Sequence, residues 1–331
     1  MREKTEKREE AFLSPFAAKA VNTKGRLIDE PKCEFRTDFQ RDRDRIIYSK
    51  AFRRLKNKTQ VFFSPEGDHY RTRLTHTLDV SQVARSIARG LDLNEDLAEA
   101  IALGHDLGHT PFGHSGEAVL NKLAPNGFEH NVQSLRVVDV LENDGKGLNL
   151  TFEVRDGIVN HKKSGNPATL EGQAVSIADR IAYLNHDIED AISAKLITEK
   201  DLPSETRVLG GNSRERINTM ITSICTASDG KNTVTMPDKI LSATETLRDF
   251  MFRSVYLTKE AKGEEEKADR MISTMYGFFL KNKDELPEIY LKLLDRYPLE
   301  TVVCDYISGM TDRYAVYVFE SLYVPKSFIP H

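Results

Sequence analysis

The sequence predicts an all-α protein. Apolar residues recur every three to four positions through long segments, the period of a helix with one buried face. No convincing run alternates apolar and polar residues as a half-buried strand would. Turn-forming clusters separate the periodic segments. At 331 residues, with 39% hydrophobic and 30% charged residues, the chain can hold one large domain or two modest ones around a real core.

Taken in order, residues 1 to about 10, MREKTEKREE, are charged and read as a mobile tail; without an apolar stretch they are not a secretory signal. Leu74, Leu78, Val83 and Ile87 form one apolar helical stripe. Leu97, Ala98, Ile101 and Ala102 form another, after a helix start near Asn94 with Glu95 and Asp96 in the first turn. Further helices are expected over 129–142, 151–161, 170–196, 236–257, 266–282 and 298–323. Turns are expected at Ser64-Pro65-Glu66-Gly67, Asn143 to Gly147 and Lys163 to Pro167. The charged stretch Lys259 to Asp269 reads as a solvated connection or exposed helix and a candidate boundary. No internal repeat is evident, and 16 Phe and 11 Tyr supply the aromatic packing in the absence of Trp.

Composition excludes several classes. No stretch approaches the roughly 20 consecutive apolar residues of a membrane helix, so no membrane partner is expected. Cys33, Cys225 and Cys304 are odd in number and widely spaced, which argues against a disulfide framework and makes the cytoplasm the default compartment. A net charge of −4 gives no global basic field for nucleic acid. One local stretch is basic: Arg41, Arg43, Arg45, Lys50, Arg53, Arg54, Lys56 and Lys58 face only Asp42 and Asp44. It is either a solvated helix face or a wall facing phosphates.

The run from Gly104 to Glu117 holds His105, Asp106, His109, His114 and Glu117, three imidazoles and two carboxylates. His76 shares a helical face with Val80, Val83 and Ile87 and should point inward. His105 and then His109 extend the Ala98–Ala102 face by successive turns. A lone inward histidine is ordinarily a satisfied core residue. Several buried together each lose on the order of 1–3 kcal/mol if unpartnered, and a shared cation satisfies them all. Asp179 lies on an otherwise apolar helical approach, with Tyr183 and Asp187 at i+4 and i+8 on the same face. Arg73, one turn before His76, should point to the same place.

His76, the pair His105-Asp106 and the distant Asp179 resemble the H…HD…D ligand set of the HD superfamily. Neighbouring segments narrow the resemblance: Ala51 to Val61, Arg73 to His76, His105 to Glu117, Phe128 to Asn131, Asp179 to Tyr183, Leu247 to Phe252, and Asp305 to Tyr314. Together, over residues 35 to 323, they are similar to the dGTP triphosphohydrolase-like family of deoxynucleoside triphosphate triphosphohydrolases. The resemblance implies an HD catalytic core over 35–200, a lead-in over 1–34, and a helical portion over 201–331 packed on the core and contributing to the site.

It further implies cleavage of a deoxynucleoside triphosphate, dGTP first among them, to deoxynucleoside and inorganic triphosphate by water attack at the α-phosphorus. His76, His105, Asp106 and Asp179 would hold a divalent metal, Mn²⁺ or Mg²⁺, with Fe²⁺ or Zn²⁺ as alternatives, and the cation would act as a Lewis acid. His114 would serve proton transfer or in-line activation, as base, acid or nucleophile, with Glu117 holding its imidazole. His109 and His130 would touch phosphate or the leaving oxygen, and Glu129 would support the site. Arg73, Arg180 and Arg248 would contact phosphate, Gln60 would read the purine edge or sugar, Tyr183 would crowd C2′, and Asp187 would hold the 3′-hydroxyl. A structural role is expected for Gly309 to Tyr314. The family reading brings a homo-oligomer, dimer or hexamer, and single-stranded nucleic acid as a modulator. The alternatives are another HD phosphohydrolase (a nucleotidase, or a cyclic or alarmone nucleotide phosphodiesterase, with surplus histidines holding a second metal) and a non-catalytic regulator binding nucleotide or single strands.

Overall fold

The computed structural model describes residues 1–60, 71–256 and 259–325, with no side-chain description for residues 256–262. Val61 and the turn expected at Ser64–Gly67 lie outside the described residues. The described chain is helical throughout; its β-type pairing is confined to isolated bridges, Arg26 with Thr151 and Thr59 with Thr72. The longer helices are α1 (Arg2–Phe12), α2 (Asp38–Tyr48), α3 (Arg73–Gly90), α4 (Glu95–Gly104), α5 (Gly113–Leu123), α6 (His130–Arg136), α7 (Phe152–Val159), α8 (Leu170–Ser193), α9 (Ser213–Ser228), α10 (Asp238–Met251), α11 (Lys259–Lys281), α12 (Leu299–Ser308) and α13 (Asp312–Tyr323). Shorter helical turns join them.

The N-terminal residues are ordered rather than a mobile tail. Arg2 pairs with Glu6 at 3.1 Å, and Glu9 turns inward, where its carboxylate accepts the Ala20 N–H at 2.7 Å. Helix α2 starts in a capping box between Thr37 and Gln40. The basic stretch is largely neutralised: Arg43 pairs with Asp96 and Glu99, Arg45 with Glu30, Lys50 with Asp144 and Arg54 with Glu142. Lys58 is buried among carbonyls. Arg41, Arg45, Lys50 and Arg53 nevertheless line a cavity beside α2.

Helix α3 buries His76, Thr77, Val80, Val83, Ala84 and Ile87, whereas Leu78, expected in the stripe, is half exposed. It packs between α8 and α4. Asn94 caps α4 by accepting the Leu97 N–H at 3.2 Å. Helix α4 ends at Gly104, so His105 and His109 lie in the following turns rather than on a continued helical face. Val137–Leu141 continues α6 as a π turn. The helix expected over 298–323 is two helices broken at Gly309-Met310-Thr311, with Thr311 capping α13 through the Tyr314 N–H at 3.2 Å.

Apolar residues gather in two clusters. One draws on α2, α3, α4, α7, α8, α9 and α10, with Phe39, Ile87, Ile101, Ile158, Ile181, Ile224 and Leu247 among its buried members. The other joins α5, α11, α12 and α13 through Val119, Leu120, Ile272, Phe279, Val303 and Ala315. Their seam is where the histidines collect.

Candidate metal centre and substrate pocket

Three elements bring the expected ligands together. His76 projects inward from the first turns of α3, and its Nε2 lies 3.1 Å from Asp179 Oδ1 on α8. His105 Nε2 lies 3.7 Å from the same oxygen and 3.6 Å from Asp106 Oδ1. His105 Nδ1–H donates to the Ala102 carbonyl at 2.6 Å, which leaves Nε2 with its lone pair, buried and without a hydrogen-bond partner. That combination, a backbone carbonyl accepting from one nitrogen and an orphaned lone pair on the other, is how a ligating imidazole is held. Donor atoms of His76, His105 and Asp106 all lie within 4.8 Å of one another. Two imidazoles and two carboxylates at these separations fit a divalent cation.

The turn carrying His105-Asp106 is pressed against α6. Gly108 N–H donates to Ser134 Oγ at 2.9 Å, and that hydroxyl donates to the His105 carbonyl at 2.6 Å. A Cβ on Gly108 would sit 2.1 Å from the Ser134 amide nitrogen, so only glycine permits the approach. Arg73, fully buried, donates to Asp106 Oδ2 at 2.7 Å. Burial would raise the Asp106 carboxyl, but His105 and Arg73 beside it hold it well below the usual carboxylate range. Asp179 follows the same pattern: burial is outweighed by His76 and His105.

A second histidine group adjoins the first. His109 and His130 stack with ring centroids 4.6 Å apart, and the His114 ring is 5.3 Å from His109. Burial, together with the nearby Arg73 guanidinium, keeps His109 neutral well below the ordinary histidine range. Glu117 was expected to hold His114, and it meets that ring and a second one: His114, 80% exposed, sets Nδ1 3.5 Å from Glu117 Oε2. The closer grip is on His130: both carboxylate oxygens lie 2.9 Å from His130 Nδ1, and Oε1 also accepts the His130 N–H at 2.9 Å. Burial would raise Glu117, but hydrogen bonds from His114 and His130 keep it ionised. Glu129 does not support the site; it pairs with Lys162 at 2.8 Å on the surface.

Of the remaining expected residues, Arg180, Tyr183 and Arg248 line a pocket of about 270 Å³, together with Lys163, Leu184, Met236 and Glu245 among others, whereas Asp187 and Gln60 are not part of its wall. Burial and the Asp179 carboxylate push the Tyr183 phenol up to about 12, so it stays neutral. Arg248 and Arg180 reduce that push, which places both cations near the phenol. Asp187 is buried one turn beyond Tyr183. Gln60, half buried, keeps its side-chain oxygen without a hydrogen-bond partner. A larger cavity of about 670 Å³, lined by Arg41, Arg45, Tyr48 and Asn149 among others, includes none of these residues.

Three residues escaped the sequence reading. His161, just past α7, donates from Nδ1 to the Ile158 carbonyl at 2.7 Å and sets Nε2 3.2 Å from His130 Nε2; burial and the neighbouring His105 depress it to about 4. His186 lies 3.1 Å from Asp79 and 5.8 Å, ring to ring, from His76. Lys58 donates to the carbonyls of His109 and Ser308, and burial drives its amine well below the ordinary lysine range. Solitary residues in apolar or basic surroundings, they carry no spacing that would have flagged them.

The HD-domain family profile matches residues 73–184, and the phosphohydrolase-associated domain matches residues 234–321. A deoxyguanosinetriphosphate triphosphohydrolase-like protein of Caldanaerobacter subterraneus subsp. tengcongensis is 57% identical, covering 98% of this chain and 96% of the relative. One from Clostridium tetani is 48% identical over 99% and 98%. A phosphohydrolase structure from Bacteroides thetaiotaomicron superposes with a TM-score of 0.54 at 20% identity, covering 84% of this chain and 67% of that one, a likeness of fold.

Proposed function

The chain belongs to the deoxyguanosinetriphosphate triphosphohydrolase-like family of HD-domain proteins, and from that premise we propose that it hydrolyses a deoxynucleoside triphosphate to the deoxynucleoside and inorganic triphosphate. One observation carries the reading. Tyr183 joins the buried His/Asp cluster, through Asp179, to a pocket whose charged wall is Arg180, Arg248 and the Lys163–Glu245 ion pair. A cation-binding cluster at one end and two arginines along the wall, with a lysine that its carboxylate partner only part-neutralises, suit a polyphosphate ester rather than a neutral substrate.

His76, His105, Asp106 and Asp179 would hold a divalent cation, which would supply Lewis-acid polarisation at the α-phosphate. Two neutral and two anionic ligands leave a +2 ion formally neutral. The charge of the triphosphate therefore falls to Arg73, Arg180, Arg248 and Lys163. Arg73 is already fixed by Asp106 and meets substrate without further ordering. His109, held neutral, offers a hydrogen bond to the phosphate or the leaving oxygen. His114, exposed beside it, moves the proton. Glu117 orients His130 within reach of both. Tyr183, rigid on α8, crowds the sugar at C2′; Asp187 receives the 3′-hydroxyl and Gln60 the base edge or sugar.

The test is direct. Purified protein is incubated with each dNTP and NTP, dGTP first, with Mn²⁺, and the products are resolved. Intact triphosphate and deoxynucleoside support the reading; monophosphate or pyrophosphate rejects it and favours a different HD phosphohydrolase. For that second reading, Asp106, His109 and His130 present donor atoms within 4.8 Å of one another, room for a second cation.

A further inference from the structure

The junction between α12 and α13 sends one side chain into the catalytic loop. Asp312, the first residue of α13 and nearly fully buried, accepts three hydrogen bonds from two distant segments. Its Oδ2 takes the Thr59 N–H at 2.9 Å and the Thr59 hydroxyl, and its Oδ1 takes the Phe112 N–H at 3.1 Å. Beside it, the buried Lys58 amine spans the same gap, donating to the carbonyls of His109 and Ser308. Residues 58–59, 109–112 and 308–312 thus form one knot.

The knot ties down a backbone that would not hold itself. Phe112 has φ +61°, a left-handed conformation that a residue with a Cβ rarely adopts, and Gly113 follows at φ +60°. These two positions turn the chain from the histidine loop into α5, where His114 and Glu117 reside. Two of the three knotted segments carry site residues close by: Gln60 follows Thr59, His109 is held by its own carbonyl, and His114 lies two residues beyond Phe112. The Arg73 N–H donates to the Lys58 carbonyl at 3.1 Å, which brings in a fourth.

We propose that Asp312 is a positioning residue: from the C-terminal helices it holds Phe112 left-handed and so sets His109, His114 and Gln60 against the metal cluster. The inference rests on the triphosphohydrolase reading for its effect on turnover, though not for its effect on the loop. It also gives the Gly309–Tyr314 segment a task beyond packing. The break at Gly309–Thr311 lets α13 begin with its first carboxylate aimed back at the loop rather than continuing α12.

The experiment uses full-length Asp312→Asn, which keeps the volume but opposes an amide N–H to the Thr59 N–H. Metal content should remain that of the wild type. Turnover should fall by about 10–100-fold with KM within about threefold, the pattern of misplaced groups. Amides of residues 109–117 should exchange about tenfold faster while those of α4 are unchanged. Phe112→Gly, which adopts the left-handed turn without strain, should restore much of the turnover in the Asp312→Asn background. If Asp312 merely starts α13 as an N-terminal acid, exchange at 109–117 stays at the wild-type rate and Phe112→Gly restores nothing; either result overturns the proposal. Should Asp312→Asn not fold, Thr59→Val removes the hydroxyl alone, and unchanged exchange at 109–117 overturns the proposal equally. If the wild-type protein releases no triphosphate, the functional reading fails by itself, and the exchange arm still judges Asp312.

Discussion

Glu171→Gln should stabilise the protein above neutral pH while changing it little in acid. Glu171 is completely buried at the start of α8. Its Oε1 accepts the N–H groups of Ala18 at 3.0 Å and Asn94 at 2.9 Å, whereas Oε2 has no hydrogen-bond partner. Burial, helped by the nearby Glu9 and only partly offset by the amides, lifts the carboxyl from 4.5 to about 7. Between those values the folded protein binds a proton that the unfolded chain releases. Stability is therefore complete below about pH 4.5 and is lost as pH rises through 7. At roughly 1.4 kcal/mol per pH unit, the full loss is about 3 kcal/mol, most of it falling between pH 5 and pH 8. Glutamine keeps the Oε1 acceptor and has no proton to lose. Urea unfolding of both proteins at pH 5 and pH 8, at fixed metal concentration, measures the effect. The variant should gain about 2–3 kcal/mol on the wild type between the two conditions. A difference that does not change with pH would refute the reasoning.

Three further outcomes follow from the site. His105→Ala removes a buried lone pair aimed at the cluster; metal content after dialysis and turnover should be lost together, and a fully metallated, active variant would break the ligand assignment. His114→Ala should lower turnover by about 10²–10⁴-fold with metal content unchanged, read by elemental analysis beside product formation; equal loss of metal would make it a ligand instead. Tyr183→Ala should relax discrimination between dGTP and GTP in competition, since the phenol's bulk is what the ribose 2′-hydroxyl would meet; unchanged selectivity would remove it as a sugar gate.

How much was legible depended on how local the cause was. The stripes of α3 and α4 were visible because their burial repeats with the helical period, and α8 because Asp179, Tyr183 and Asp187 share that period with its apolar face. Helix α9 was not, since Arg214, Glu215, Asn218, Thr219 and Thr222 dilute its buried Met220 and Ile224. Helix α5 was not among the expected helices, because Gly113 and Gly116 argue against a helix there; both are tolerated for close packing, Gly116 with Pro111 and Gly113 with Gln60. In the site, the grouping of His76, His105, Asp106 and Asp179 came from their resemblance to the HD-superfamily pattern, which local spacing alone does not encode for residues 103 apart. Glu117 was read only in part: its neighbour His114 was expected, but the shorter bond to His130, thirteen residues away, was not. His161 and Lys58 act through partners 31 and up to 250 residues distant, a separation that no local pattern encodes.

The seam between the two apolar clusters has a consequence for how the protein fails. Every proposed metal ligand hangs from helices of one cluster, while Glu117 and the loop geometry of His114 depend on helices of the other. Loosening the C-terminal cluster would scatter the proposed proton-handling groups and leave the proposed ligands together. Heat inactivation and metal release would then be separate events, and a warmed sample would be metal-replete yet inert.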